Sequence, residues 1–159
     1  MSDAVAIGRL TESLSLPISF VPRAAPIPAD VRVVWRLPLL LLTVAAVRGG
    51  RASWKQLHVL SSGIRTEIGG ARLRAGLNNE RAPDEPVARF EPGLSATVSL
   101  AVGLELVRWD RGRRLELTAA GERAVAELRE QGVFGAEEHL LQRIASQVSM
   151  TAANRILGG

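Results

Sequence analysis

The sequence predicts a mainly α-helical fold with one small β-hairpin, and three observations carry that expectation. First, residues 104–117 alternate apolar and polar side chains on both sides of Asp110-Arg-Gly112, the period-two pattern of a half-buried ribbon around a turn glycine. Second, apolar residues recur at helical spacing in several segments separated by glycine and proline. Third, those segments open on residues that cap helices: Ser53 with Gln56, Thr118, and the Glu137-Glu138 pair. A hairpin that follows one helix and runs straight into another is the "wing" arrangement. The predicted class is therefore winged-helix, mainly α with a small β-hairpin wing.

Taken in order, the elements are these. Residues 1–30 carry Pro17, Pro22, Pro26 and Pro28, which break any long helix. Around them Leu14, Leu16, Ile18, Phe20 and Val21 form an apolar string, with Ile27 further on. Such a segment reads as a lone strand, as an arm laid on another surface, or as a tail without order. A first helix is expected from Pro38, well placed at a first helical position, to about Arg48, where Gly49-Gly50 ends it. It is apolar all round, as a central core helix would be. Ser53 and Gln56 form a capping-box pattern that opens the second helix, with Leu57, Leu60 and Ile64 on one face.

Residues 66–77 continue as a helix with Ile68, Leu73 and Leu77 inward, and residues 78–86 form a polar loop. Residues 87–90 read as a short strand or a docked loop. The next helix spans 92–104. Leu94, Val98, Ala101 and Val102 share its inner face, widened by Leu100 and Leu104. The wing is expected to pair residues 104–109 with 113–117. A helix capped by Thr118 runs to about Gln131, a further helix carries Leu140, Leu141, Ile144 and Val148, and a short last one holds Ala153, Ile156 and Leu157. The expected division is an arm over 1–30, a winged-helix core over 31–131, and a helical extension over 132–159.

Composition bounds the chemistry. The 159 residues are 47% hydrophobic and 23% charged, which is ordinary for a globular protein with a real core. The absence of cysteine excludes disulfide and thiolate metal sites and suits the cytoplasm. Net charge is only +4, carried by 19 arginines and a single lysine. The longest apolar run, 39–47, is about half the roughly 20 residues a membrane helix needs. No signal-peptide pattern opens the chain. The two histidines, His58 and His139, are far apart and lie in no ligand pattern. Each reads as a solvated helix residue. With no phosphate loop and no nucleophile–base pair, the expectation is a non-enzyme with no cofactor and no metal.

Two surfaces are candidates for binding. Arg108, Arg111, Arg113 and Arg114 fall within seven residues of the wing. There they would grip phosphates without reading sequence, or simply solvate an edge. The 92–104 helix stands where a DNA reader would carry Arg, Lys, Asn or Gln, and it holds only Ser95, Thr97 and Ser99 as polar residues. That favours contact with protein over base readout. Candidate partner contacts are Leu16, Ile18, Phe20, Val21 and Ile27 of the arm, Trp54 as an anchor, and Leu140, Leu141, Ile144 and Val148 of the last helices. Trp54 has core packing as its other reading.

The order of elements resembles the small middle components of bacterial three-component ABC-ATPase systems, including the accessory subunits of Lamassu-like anti-phage defence. The likeness covers roughly 36–156. It runs through Arg36-Leu-Pro-Leu-Leu-Leu-Leu42, Ser53-Trp-Lys-Gln-Leu57 and Arg89-Phe-Glu-Pro-Gly-Leu94, then Gly103-Leu-Glu-Leu-Val107, Leu117-Thr-Ala-Ala-Gly121 and Glu137-Glu-His-Leu-Leu141. Each piece is degenerate; their order and spacing carry the resemblance. It implies a non-catalytic winged-helix adaptor that partners an SMC-like or Rad50-like ATPase and a separate effector subunit, without catalytic residues of its own. The alternative reading is a dimeric winged-helix transcription regulator with the last helices as its dimer interface.

Overall fold

In a computed structural model the chain is described for residues 29–65, 67–80, 88, 91–111 and 113–157. The arm candidates Leu16, Ile18, Phe20, Val21 and Ile27, most of 87–90, and the turn residue Gly112 lie outside them. The described chain is mainly helical and carries a three-stranded antiparallel sheet. None of its helices is long and apolar enough to cross a membrane.

Helix α1 (Ala29–Ala46) passes through the middle of the fold. Its residues from Leu39 to Val44 are all buried, so this part of the helix is covered all round, as its continuous apolar run requires. It touches four other helices and the sheet. The only hydroxyl in that run, Thr43, donates back to the Leu39 carbonyl at 2.6 Å, which satisfies it without a distant partner. The helix begins well before the expected Pro38, which stands inside it. An interior proline costs about 3 kcal/mol, partly through the lost bond to the carbonyl four residues back. That residue is Val34, 71% exposed, where water can serve the freed carbonyl. The extra turns also gain contacts. The Trp35 ring lies 4.7 Å from that of Phe134, and Arg36 pairs with Glu91 at 3.4 Å.

After a glycine turn, strand β1 (Arg51–Ser53) leads directly into helix α2 (Trp54–Ile64). The capping box is formed in full. Ser53 Oγ accepts from the Gln56 N–H, and the Ser53 N–H donates to Gln56 Oε1 at 3.0 Å. Gln56 Nε2 then donates to the Val148 carbonyl at 2.7 Å, tying the start of α2 to the far end of the chain. Helix α3 (Glu67–Leu77) lies against α2 with Leu73 fully buried. Ile68, expected inward, is 66% exposed. Helix α4 (Leu94–Gly103) buries Leu94, Thr97, Val98 and Ala101. Val102, expected on that inner face, and Leu100 and Leu104, expected to widen it, are exposed. A helix whose apolar residues surround it can bury only the side that meets a neighbour, here mainly α1.

Strands β2 (Val107–Asp110) and β3 (Arg114–Leu117) form the hairpin, with Val107 opposite Leu117 and Trp109 opposite Leu115. The first strand starts three residues later than expected. Leu104, Glu105 and Leu106 instead close helix α4 by bonding back to Leu100, Val102 and Ala101. Glu105 turns the chain with φ 56°. At the tip Arg111 takes positive φ, 48°. β3 lies in the middle of the sheet, because β1 pairs along its other edge with Ala52 opposite Leu115.

Helix α5 (Ala119–Gln131) starts at Thr118, whose hydroxyl accepts from the Gly121 N–H at 3.1 Å and donates to the Glu105 carbonyl at 2.5 Å. The Thr118 N–H donates to the Leu106 carbonyl at 3.0 Å. One threonine thus fastens the helix start to the turn that precedes the hairpin. Gly132 ends α5 with φ 66°. Helices α6 (Gly135–Ile144) and α7 (Met150–Leu157) follow, and both join the same core: Leu141, Ile144, Val148, Ala153 and Ile156 are buried with the apolar residues of α1 and α2.

Candidate nucleic-acid and partner interface

The hairpin is where the sequence concentrates positive charge, and its geometry divides the four arginines. On β2, Arg108 Nε lies 2.7 Å from Glu116 on the neighbouring strand, and Arg51 of β1 reaches the same carboxylate at 3.0 Å and Asp110 at 3.3 Å. Arg51 and Arg108 each stand directly opposite Glu116 in the register. The Arg108 hydrogen bond, aided by the nearby Arg51 charge, holds the Glu116 carboxyl below its usual range. Arg108, whose side chain is 70% exposed, shares its charge with a cross-strand carboxylate, which sets it apart from the other three arginines of the wing. Arg111, Arg113 and Arg114 are exposed at and beside the tip, and among the described residues none of them has a carboxylate partner. They make a compact cationic group able to meet an anionic backbone.

Beside the hairpin, α4 presents Ser95, Ala96, Ser99, Leu100, Val102 and Gly103 to solvent. Leu104 continues this surface at 52% exposure, and Trp109 on the edge strand is 37% exposed. No donor fork or amide stands among the exposed α4 positions to meet a base edge. Trp54 is half-buried, its ring 6.2 Å from that of Trp109 and 5.1 Å, edge-on, from His58. It joins the hairpin to α2 and keeps only part of its surface free.

The C-terminal candidates separate sharply. Leu141, Ile144 and Val148 are at most 1% exposed. They are side chains of the protein's own core and offer no docking surface, because α6 turns its apolar stripe onto α1 and α2. Leu140 alone stays half-exposed at the margin. Among the described residues, the exposed large apolar residues that the sequence reading missed are Val33, Val34 and Trp35 of α1, Val133 and Met150. The first three were hidden by the early proline, which masked the helix that displays them.

His58 is not a solvated helix residue as expected. It is 4% exposed, and its Nδ1 accepts the Glu91 N–H at 2.9 Å. The Glu91 carboxylate in turn pairs with Arg36 of α1 and with Arg65 at the end of α2, so two helices are tied to the segment that leads into α4. Gly93 is part of the same knot, since a Cβ there would overlap the Arg36 guanidinium. The space beside Glu91 measures about 40 Å³, room for a water but not for a substrate. Burial lowers the His58 pKa below the ordinary 6.5, and the Glu91 charge offsets this only in part. The folded state therefore binds this proton less readily than the unfolded state. Its contribution is present above pH 6.5 and is lost as pH falls through and below that value. The urea midpoint is expected to drop between pH 7.5 and pH 5 more steeply than in a His58→Gln variant. Equal pH profiles for the two proteins would contradict this account.

No group of three or more metal-ligating side chains gathers among the described residues. Comparison of the chain with protein-family models, with curated proteins and with solved structures found no match.

Proposed function

We propose that the chain is a winged-helix interaction module. Its order of a helix, a strand, further helices and a hairpin that closes a three-stranded sheet supports that class. Within it, the particular role we propose is a non-catalytic adaptor subunit of an SMC-like or Rad50-like ATPase complex, acting with a separate effector in defence against phage or plasmids. One observation carries the choice of a protein-contacting role over a sequence-reading one. The exposed face of α4, in the position of a recognition helix, is uncharged and partly apolar, and such a face suits a protein partner better than base edges.

The hairpin adds a sequence-independent contact with DNA through Arg111, Arg113 and Arg114. This second activity is favoured by their exposure without carboxylate partners among the described residues. A dimeric transcription regulator is the competing reading, and it requires tight preference for one operator.

The test is co-expression with the neighbouring ATPase, followed by DNA binding over a salt series. The chain is expected to co-purify with the ATPase. Replacing Arg111, Arg113 and Arg114 by Ala should weaken DNA binding evenly across sequences and reduce the salt slope by about 2–3. A chain that captures no ATPase, or that binds one operator far more tightly than random duplex, would defeat the adaptor reading.

A further inference from the structure

A second groove shares no residue with the hairpin. It lies among α2, α3 and α6 and encloses about 580 Å³. Its floor is apolar, formed by Ile64, Ala71 and Leu140. Arg74 in the last turn of α3 and Arg143 in the last turn of α6 stand on its rim. Both are exposed, and among the described residues neither has a carboxylate partner. Arg65 also borders the groove, but Glu91 holds it. Among the described residues one carboxylate, that of Glu137, stands half-buried in the lining.

These features discriminate between anionic occupants. A nucleic-acid backbone gains nothing from an apolar floor, and Glu137 repels any anionic occupant alike, so the floor makes the distinction. A helix with an apolar stripe between acidic flanks uses both parts of the groove. Its stripe covers Ile64, Ala71 and Leu140, and its carboxylates reach the two unpaired arginines. Arginine also sits well at these positions because the ends of α3 and α6 carry the negative pole of the helix dipole. An occupant that neutralises only part of the cationic charge is still tolerated there.

We propose that this groove docks an acidic amphipathic helix of a partner protein, with charge complementarity to Arg74 and Arg143 and apolar contact on the floor between them. The surface is independent of the hairpin and of the assignment to an ATPase complex. The experiment uses the full chain and a labelled peptide of about 18 residues, long enough to populate a helix. The peptide is rich in Glu, with Leu at helical i, i+3, i+4, i+7 spacing, and binding is followed by fluorescence anisotropy. Arg74→Glu with Arg143→Glu should weaken binding by about tenfold or more. Ala71→Trp, which fills the floor without changing charge, should weaken it as well, while replacing Arg111, Arg113 and Arg114 by Ala leaves it unchanged. Thermal melting of each variant checks that the groove is still folded. The proposal is overturned if the peptide does not bind, or if a composition-matched peptide with shuffled leucines binds equally. It is also overturned if duplex DNA displaces the peptide and loses its own binding in the Arg74→Glu, Arg143→Glu protein.

Discussion

Gly121→Ala is expected to destabilise the protein by about 2–3 kcal/mol, although alanine is the better helix former. Gly121 stands in the first turn of α5, and a Cβ there would overlap the Leu106 carbonyl oxygen. That oxygen cannot move away cheaply. It accepts the Thr118 N–H at 3.0 Å, and the Leu106 N–H is itself bonded to the Ala101 carbonyl. The obstruction is backbone held from both sides, so the helix start must shift and the Thr118 cap with it. Overpacking outweighs the roughly 1 kcal/mol of propensity that the change would gain elsewhere. For a chain of this size the melting temperature should fall by roughly 4–12 °C. Gly103→Ala is the control. It lies in a helix with nothing within 4 Å of the added Cβ, so it should be neutral or slightly stabilising. A Gly121→Ala protein as stable as the parent would refute the close approach. The same contact explains why the Leu117-Thr-Ala-Ala-Gly121 step needs both its threonine and its glycine: one caps the helix, and the other lets the preceding turn come near.

Leu141→Ala should cost about 3–5 kcal/mol, the range for a large aliphatic side chain removed from a core that relaxes only in part. Leu141 is fully buried in α6, among residues of the same core as α1 and α2. Such a loss is a large fraction of the 5–15 kcal/mol that ordinarily separates folded from unfolded chains. Leu140→Ala, at the half-exposed neighbouring position, should cost about 1 kcal/mol. Chemical denaturation of the two variants checks the difference. It also distinguishes a core role from an interface role. An interface residue would weaken assembly while leaving the melting of the isolated chain unchanged, and that result for Leu141 would contradict the placement of α6.

Signals that act within about four residues were legible in the chain itself. The Ser53–Gln56 capping box, the Thr118 cap, the glycine stop at Gly132 and the alternation across 107–117 each depend on spacing along one segment. They determined the element types and most of their order. The lack of charge on α4 was legible too, because its composition holds in whichever direction the helix turns, but which of its apolar residues face solvent was not. What packing alone decided is of another kind. Strand β1 is three residues long and takes its hydrogen bonds from β3, more than sixty positions away, so nothing local announces it. Pro38 was read as a start because the contacts that carry α1 through it, Trp35 on Phe134 and Arg36 on Glu91, join distant segments.

His58 shows the same division. Its helix position was legible, but its acceptor role depends on an N–H 33 residues further on. Leu141, Ile144 and Val148 form an apolar stripe that the sequence displays openly, yet a stripe states only that something must cover it. The tertiary structure decided that the cover is the chain's own α1 and α2 rather than a partner. The physical reason is that burial lowers free energy by area and not by the identity of what lies across it, so a sequence can specify an apolar face without specifying its mate.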